Sequence, residues 1–289
     1  MKFALRYCNT GRYTDPSEAV ALLQAGEAAG FESAWTIEHT VVPKGYQSSY
    51  PYAAGGRMPG DEAEFVMPDP LIWMSWAAAR TMRIRLGTAI LILPQHNPVV
   101  TAKQVATLDA MSGGRIELGI GVGWLREEFE ALGVPFEDRG ARTDDYVYAM
   151  RELWRSPSPT YRGRFVSFEN ACMRPKPANG TVPITVGGHS RAAARRAGRL
   201  GDGFFPARGA PQDLFNLVRS TAREHGRDPD AITLTCSIPD ELDELPRLAA
   251  MGVGRVAVPV TGVAGLAMRV RGPEDLLPWK DIIERYAEL

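Results

Sequence analysis

The feature that most constrains the fold of this chain is a regular alternation of short apolar segments with segments of helical periodicity. Eight segments have the apolar character of strands, and nearly all of them are followed by a predicted helix. The predicted strands cover residues 2–7, 33–37, 84–93, 115–123, 182–186, 202–206, 232–236 and 255–260. Such alternation requires parallel strands joined by helical crossovers. Eight units in 289 residues predict a closed (β/α)8 TIM barrel that forms a single domain over residues 1–289.

An open, doubly wound sheet is the alternative arrangement for the same alternation. Its glycine-rich nucleotide fingerprint after the first strand is absent here, which favours the barrel. Helix starts are marked by capping residues that precede proline, as at Asp15-Pro16, Asp69-Pro70 and Asn97-Pro98. Predicted helices include 142–155 and 273–287, and residues 41–67 are predicted to form a large loop.

Composition and charge exclude several classes of partner. The chain has 33 Lys and Arg against 34 Asp and Glu, a net charge of −1, which argues against a uniformly basic nucleic-acid binder. No apolar run approaches the roughly 20 residues that span a bilayer, and no secretion signal begins the chain. Cys8, Cys172 and Cys236 lie far apart, so neither a zinc ribbon nor a disulfide framework is indicated. We expect a cytoplasmic protein without metal, membrane or nucleic-acid partner.

The active sites of barrel enzymes lie at the carboxyl ends of the strands, so polar residues there are candidates. His39 follows the second predicted strand, where an imidazole could relay a proton near neutral pH. A structural hydrogen bond at the barrel rim is an equally good interpretation on position alone. His39 is therefore a candidate catalytic residue.

The fourth predicted strand carries glycines at alternate positions. Gly119, Gly121 and Gly123 share one face, whereas the branched residues between them share the other. Glycine in a strand sacrifices packing, so we expect that a flat ligand approaches the backbone on this face. The alternative is tight packing against bulky neighbours. The enzymatic hypothesis depends on this groove, and a groove filled by bulky neighbouring groups would overturn it.

A pair of glycines follows the fifth predicted strand, in Gly187-Gly188-His189-Ser190. Small residues before a helix leave backbone N–H groups free to bind an anion, and Arg191 or Arg195 could add charge. A simple helix cap is the alternative.

In the 41–67 loop, Tyr46, Tyr50 and Tyr52 could form a lid, although ordinary loop packing is the favoured interpretation.

Two long strings resemble one family. LPQHNPVVTAKQVATLDAMSGGRIELGIGVGWLREEFEALGVPFEDRGARTDDY (93–146) and VPITVGGHSRAAARRAGRLGDGFFP (182–206) are similar to the luciferase-like flavin-dependent oxidoreductases. The similarity runs from the first strand to about residue 206. It implies a luciferase-like barrel with loop insertions, usually dimeric, that binds FMN or the deazaflavin coenzyme F420 at the carboxyl mouth. The chain is most similar to the deazaflavin-dependent branch.

The resemblance also implies site residues. His39 would face the cofactor ring, and Thr88, Ala89 and Ile90 would form a bulge with a non-prolyl cis peptide that backs the ring. The stretch Gly121, Val122, Gly123 would border the ring. The stretch Gly187, Gly188, His189, Ser190 would bind the phosphate.

One position departs from the family pattern. The deazaflavin-dependent sugar-phosphate dehydrogenases have a glutamate acid/base after the fourth-strand glycine, whereas this chain has Trp124. The sugar-phosphate reaction is therefore disfavoured, and Trp124 is available to line an apolar substrate cavity.

Three hypotheses follow from the resemblance. The first is hydride transfer between coenzyme F420 and a small organic substrate. The second is an FMN-dependent monooxygenase that is supplied by a separate reductase. The third is a non-catalytic member of the family that only binds or carries a flavin.

Overall fold

A closed barrel of eight parallel strands forms the centre of the protein in the computed structural model, which describes residues 1–53, 55–58, 65–262 and 270–289. The third barrel strand is divided into β3 and β4, and β6 pairs with β7 in a separate antiparallel hairpin. The barrel closes in the order β1, β2, β3/β4, β5, β8, β9, β10, β11 and back to β1. The strands are β1 (Lys2–Arg6), β2 (Ser33–Thr36), β3 (Arg85–Thr88), β4 (Leu91–Ile92), β5 (Ile116–Gly121), β6 (Tyr161–Arg162), β7 (Ser167–Phe168), β8 (Ile184–Gly187), β9 (Gly203–Phe205), β10 (Thr233–Ser237) and β11 (Val253–Pro259). The predicted (β/α)8 barrel is confirmed.

Helices surround the barrel and bury their apolar faces against the strands. The helices are α1 (Pro16–Ala29), α2 (Pro70–Ala78), α3 (Pro98–Ser112), α4 (Arg126–Ala131), α5 (Arg139–Arg155), α6 (Arg191–Leu200), α7 (Gln212–Glu224), α8 (Leu245–Ala250) and α9 (Trp279–Tyr286). The predicted caps are present: side chains of Asp15, Asp69 and Asn97 accept backbone N–H groups in the first turns of α1, α2 and α3. No helix in the described ranges has the length and apolar character to cross a bilayer.

Two predicted helix boundaries are wrong. Helix α5 begins at Arg139 rather than at residue 142, because Gly140 weakens the helical pattern in the sequence but is tolerated in the first turn. The predicted helix 273–287 is divided into a 3-10 turn, Pro273–Leu276, and α9. Pro278 precedes α9 and has no N–H with which to continue a helix from the preceding turn.

The interior of the barrel is filled by layers of side chains. Alternation along β1 directs Phe3 and Leu5 toward the helices, in the main core, and Ala4 into the barrel. Near the amino end, Arg255 forms an ion pair with Glu117. Above this pair, Trp35 and Phe205 meet edge to face with ring centroids 5.9 Å apart. The barrel is therefore packed up to the carboxyl mouth, and a ligand must bind on top of these layers.

Candidate active site

The third barrel strand contains a bulge at the carboxyl mouth. Gly87 pairs with Glu117 and Leu91 pairs with Ile120, so four residue steps on this strand face three on β5. The extra residue lies between β3 and β4, where the Ala89–Ile90 peptide bond is cis. The bulge and cis peptide that the family resemblance implied are confirmed.

Both neighbouring strands hold the bulge in place. The hydroxyl of Thr88 donates to the carbonyl of Gly119 at 2.6 Å, and the N–H of Ala89 donates to the carbonyl of Thr36 at 2.6 Å. Beyond the bulge, the N–H of Ile92 donates to Oε2 of the buried Glu38 at 2.5 Å. These bonds satisfy the backbone groups that the interrupted ladder leaves unpaired.

The fourth predicted strand corresponds to β5. The expectation that its glycines leave an open groove is wrong. A Cβ at Gly121 would lie 2.5 Å from Cδ1 of Ile90, and one at Gly187 would collide with the same side chain. A Cβ at Gly119 would collide with the carbonyl of Thr88. The glycines instead make room for the bulge, which places Ile90 across β5 and β8.

The remaining glycines of this region also face bulky groups. A Cβ at Gly87 would lie 2.8 Å from the ring of Trp35, and one at Gly123 would lie 2.7 Å from the ring of Phe129. Tight packing, the alternative interpretation of the glycine pattern, is therefore correct. The open groove on which the enzymatic hypothesis depended is absent, so any case for a cofactor must rest on other residues. Ala89 and Ile90, both half-buried, form the surface at this place.

His39 is oriented by a glutamate from a different part of the barrel. Its Nδ1 lies 2.9 Å from Oε2 of Glu128, a fully buried residue of α4. Oε1 of Glu128 accepts the N–H groups of Thr40 and Val41, at 2.6 and 3.2 Å. Because the carboxylate only accepts hydrogen bonds, Nδ1 of His39 carries a proton. Nε2 has no hydrogen-bond partner among the described residues, so it can accept or return a proton.

A second histidine–glutamate pair stands beside the bulge. Nε2 of His96 lies 2.9 Å from Oε1 of Glu38, whose other oxygen accepts the N–H of Ile92. Burial opposes protonation of His96, but the hydrogen bond and charge of Glu38 together raise its pKa. This pair anchors the strand end next to the cis peptide.

The tyrosines of the 41–67 loop gather around Trp124. The ring centroids of Tyr46 and Tyr50 lie 5.3 and 5.1 Å from that of Trp124, and Tyr50 also meets Tyr52 at 5.4 Å. Trp124 in turn contacts His39 edge to face at 5.8 Å. These contacts agree with ordinary loop packing, the favoured sequence-based interpretation, and they place the packed tyrosines next to Trp124, which contacts the candidate catalytic histidine.

The predicted anion site lies at the amino terminus of α6. Ser190 is the N-cap, and its Oγ accepts the N–H of Ala193 at 3.2 Å. Nδ1 of His189 is buried without a hydrogen-bond partner, and burial together with the charge of Arg208 lowers the pKa of this imidazole. The hydroxyl of Tyr52 interacts with the backbone N–H of His189, so the loop reaches this site as well.

Two site residues were missed by sequence reasoning. Glu128 lies 89 positions from His39, and nothing in a single sequence links the two. Arg6 ends β1 and lies in the barrel mouth, with its guanidinium 5.0 Å from the ring of Phe205. Its alternation with Ala4, which points into the barrel, was the available signal.

A cavity at the opposite end of the barrel does not belong to this site. It has a volume of about 220 Å³ and is lined by Arg85, Asp109, Gly114, Arg155, Asn179, Thr181, Pro183 and Asp202. Several of these residues lie at the amino ends of strands. In barrel enzymes, residues at that end contribute to stability, whereas catalytic residues lie at the carboxyl end.

The fold and site define a closed (β/α)8 barrel with a bulged third strand and a histidine–glutamate pair at the carboxyl mouth. The chain belongs to the luciferase-like monooxygenase family, whose model matches residues 3–244. An uncharacterized protein of Mycobacterium tuberculosis is 31% identical over 89% of this chain and 90% of its own length. An F420-dependent glucose-6-phosphate dehydrogenase of Mycobacterium avium is 33% identical over 81% of this chain and 67% of its own length.

Solved structures of a reductase and of a monooxygenase are similar to this barrel. The coenzyme F420 dependent tetrahydromethanopterin reductase from Methanopyrus kandleri has a TM-score of 0.74 at 17% identity, covering 99% of this chain and 97% of its own. A monooxygenase from Streptomyces bottropensis has a TM-score of 0.63 at 26% identity, covering 87% of this chain and 75% of its own.

Proposed function

We propose that this protein is an oxidoreductase that transfers a hydride between coenzyme F420 and a small organic substrate. The observation that carries the proposal is the His39–Glu128 pair at the carboxyl mouth, next to the bulged third barrel strand. Two relatives, 28% and 33% identical to this chain, are named as F420-dependent glucose-6-phosphate dehydrogenases, which supports the choice of coenzyme.

The residues present fit such a coenzyme. The unpartnered Nδ1 of His189 and the free N–H groups in the first turn of α6 suit a phosphate. Thr88, Ala89 and Ile90 would back the ring through the bulge, whereas Gly121, Val122, Gly123 and Gly187 would support it from below. When bound, the deazaflavin supplies a carbon centre that accepts or donates a hydride.

His39 would handle the proton that accompanies hydride transfer. Glu128 holds Nδ1–H, so Nε2 is left to take the proton of a substrate hydroxyl or return it to a carbonyl oxygen. The positive charge that develops on the imidazole is stabilised by the buried carboxylate of Glu128. Trp124 contacts His39, and Tyr46 and Tyr50 pack against Trp124, so these rings would limit the access of water to one side of the imidazole.

The substrate differs from that of the sugar-phosphate dehydrogenases. Trp124 stands where those enzymes carry a glutamate, and its contacts with Tyr46 and Tyr50 make an apolar wall beside His39. This wall favours a compound without a hydroxylated ring.

The second candidate function is an FMN-dependent monooxygenase that receives reduced flavin from a separate reductase. The 26% identical monooxygenase structure from Streptomyces bottropensis favours this alternative. The same mouth would then bind FMN.

Titration of the purified protein with F420 and with FMN separates the two functions. We expect saturable one-to-one binding of F420, measured by quenching of its fluorescence, and at least tenfold weaker binding of FMN. Tight FMN binding with no F420 binding would assign the monooxygenase function instead.

We also propose that the chain forms a homodimer through α2 and α3. Ile72 and Trp76, four residues apart on α2, are 73% and 46% exposed, and Val100 on α3 is 53% exposed. We expect a light-scattering mass of twice the chain mass, falling to one chain in Trp76→Glu. A monomeric wild type would contradict this proposal.

A further inference from the structure

Three arginines in the described part of the chain are buried, and one of them has no carboxylate partner. Arg255 forms ion pairs with Glu117 and Glu32, and Arg196 forms one with Asp144. Arg6 is only 5% exposed and forms no ion pair with any described residue.

The surroundings of Arg6 are rich in hydrogen-bond donors. Nη1 donates to Oγ of Ser237 at 2.8 Å, and Nη2 donates to the hydroxyl of Tyr7 at 2.6 Å. Both hydroxyls accept from Arg6, so each keeps its own proton to donate elsewhere. Nε of Arg6 is buried without a hydrogen-bond partner. The cluster of Arg6, Tyr7 and Ser237 therefore presents several unused donors.

This donor cluster lies in the same mouth as His39. Arg6 ends β1 and Ser237 ends β10, both at the carboxyl edge of the barrel. Tyr50 lies close enough to Arg6 and Tyr7 to interact with both, and its ring also contacts Trp124. Trp124 reaches His39, so two aromatic rings connect the cluster to the candidate catalytic histidine.

A buried guanidinium without a carboxylate partner is costly to the fold. The two hydroxyls, and the rings of Tyr7 and Phe205 whose centroids lie 4.3 and 5.0 Å from Cζ of Arg6, offset only part of its desolvation. Burial lowers the pKa of Arg6, and the side chains that interact with it, those of Tyr7, Tyr50 and Cys236, are phenols and a thiol rather than carboxylates. Groups that weaken a fold in this way are characteristic of ligand-binding positions.

We propose that the cluster of Arg6, Tyr7 and Ser237 binds a carboxylate of the substrate, so that the substrate class is a small organic carboxylic acid. The assignment of this ligand as the reacting substrate rests on the proposed oxidoreductase function. A guanidinium fork matches the two oxygens of a carboxylate. One cation also balances one negative charge, whereas a phosphate dianion would leave an excess negative charge in a buried site.

Thermal unfolding in the presence of simple anions tests this proposal without the coenzyme. Wild type, Arg6→Met and Arg80→Met, an exposed arginine on the surface, are compared in sodium propionate, chloride and sulfate at equal ionic strength. We expect propionate to raise the wild-type and Arg80→Met Tm by about 2–3 °C relative to chloride at ten times the Kd. Arg6→Met should show no such difference.

Two outcomes overturn the proposal. The first is a propionate response in Arg6→Met equal to that of wild type. The second is a wild-type response to sulfate, corrected for the response of Arg6→Met, as large as that to propionate. Should Arg6→Met fail to fold, Ser237→Ala takes its place, with a propionate response at least halved. An undiminished response in Ser237→Ala overturns the proposal equally.

The coenzyme measurement separates this proposal from the proposed function. Arg6→Met should bind F420 with the affinity of wild type. A propionate response in a protein that does not bind F420 would keep the carboxylate site and remove the F420-dependent function. F420 binding without a propionate response would keep the F420-dependent function and remove the carboxylate site.

Discussion

Replacement of His39 by alanine is expected to lower kcat by about 100- to 10,000-fold with F420 and the substrate that wild type turns over fastest. The variant loses Nε2, the atom that would carry the substrate proton, and leaves the carboxylate of Glu128 without its imidazole partner. Turnover is measured from the change in F420 absorbance, and F420 affinity is measured in parallel. Affinity should fall far less than kcat, because the main role proposed for His39 is proton transfer.

His225→Ala is the matched control, since His225 is exposed at the end of α7 and bonds only to its own helix. It should retain wild-type kcat. Glu128→Gln should lie between, because glutamine keeps an acceptor for Nδ1–H but removes the stabilising charge. Full turnover by His39→Ala would exclude His39 from the mechanism.

Substitution of Gly119 by alanine is expected to lower the free energy of unfolding by about 3 kcal/mol, at the upper end of overpacking effects. The added Cβ would collide with the backbone carbonyl of Thr88, which a side-chain rotation cannot relieve. The bulge must then move, and its hydrogen bonds from Thr88 and Ala89 are disturbed. Urea unfolding followed by circular dichroism measures the change.

Gly254→Ala supplies the control for this prediction. Gly254 lies in β11, and a Cβ there would make only an ordinary 3.8 Å contact with Thr233. Its free energy of unfolding should stay within about 1 kcal/mol of wild type, because alanine loses less backbone entropy than glycine. Equal stability of Gly119→Ala and Gly254→Ala would contradict the support that β5 gives to the bulge.

The barrel was predictable because each strand and helix carries its own local pattern. Apolar alternation placed all eight barrel strands, and capping pairs such as Asp15-Pro16 placed helix starts. The predicted helix boundaries were wrong where a single residue sets the end of a helix, as at Pro278, which divides the last predicted helix.

The candidate site was only partly predictable, since its interactions join distant residues. His39 was found from its place after a strand, but its partner Glu128 comes from α4. The glycines of β5 were noticed correctly and interpreted wrongly. Their pattern indicates a missing side chain, whereas the side chain that fills the space, Ile90, is supplied by another strand. Likewise, a sequence cannot reveal that Arg6 has no carboxylate partner among the residues that the structure describes.

The central claim, that this mouth binds F420 with its phosphate at the start of α6, is tested most directly by titrating F420 into three proteins. These are wild type, Ser190→Glu, which puts a carboxylate at the proposed phosphate site, and Ser17→Glu, which makes the same change at the exposed start of α1. Repulsion should weaken F420 binding at least tenfold in Ser190→Glu and leave Ser17→Glu like wild type. Equal affinity in all three, or no binding to wild type, would contradict the claim.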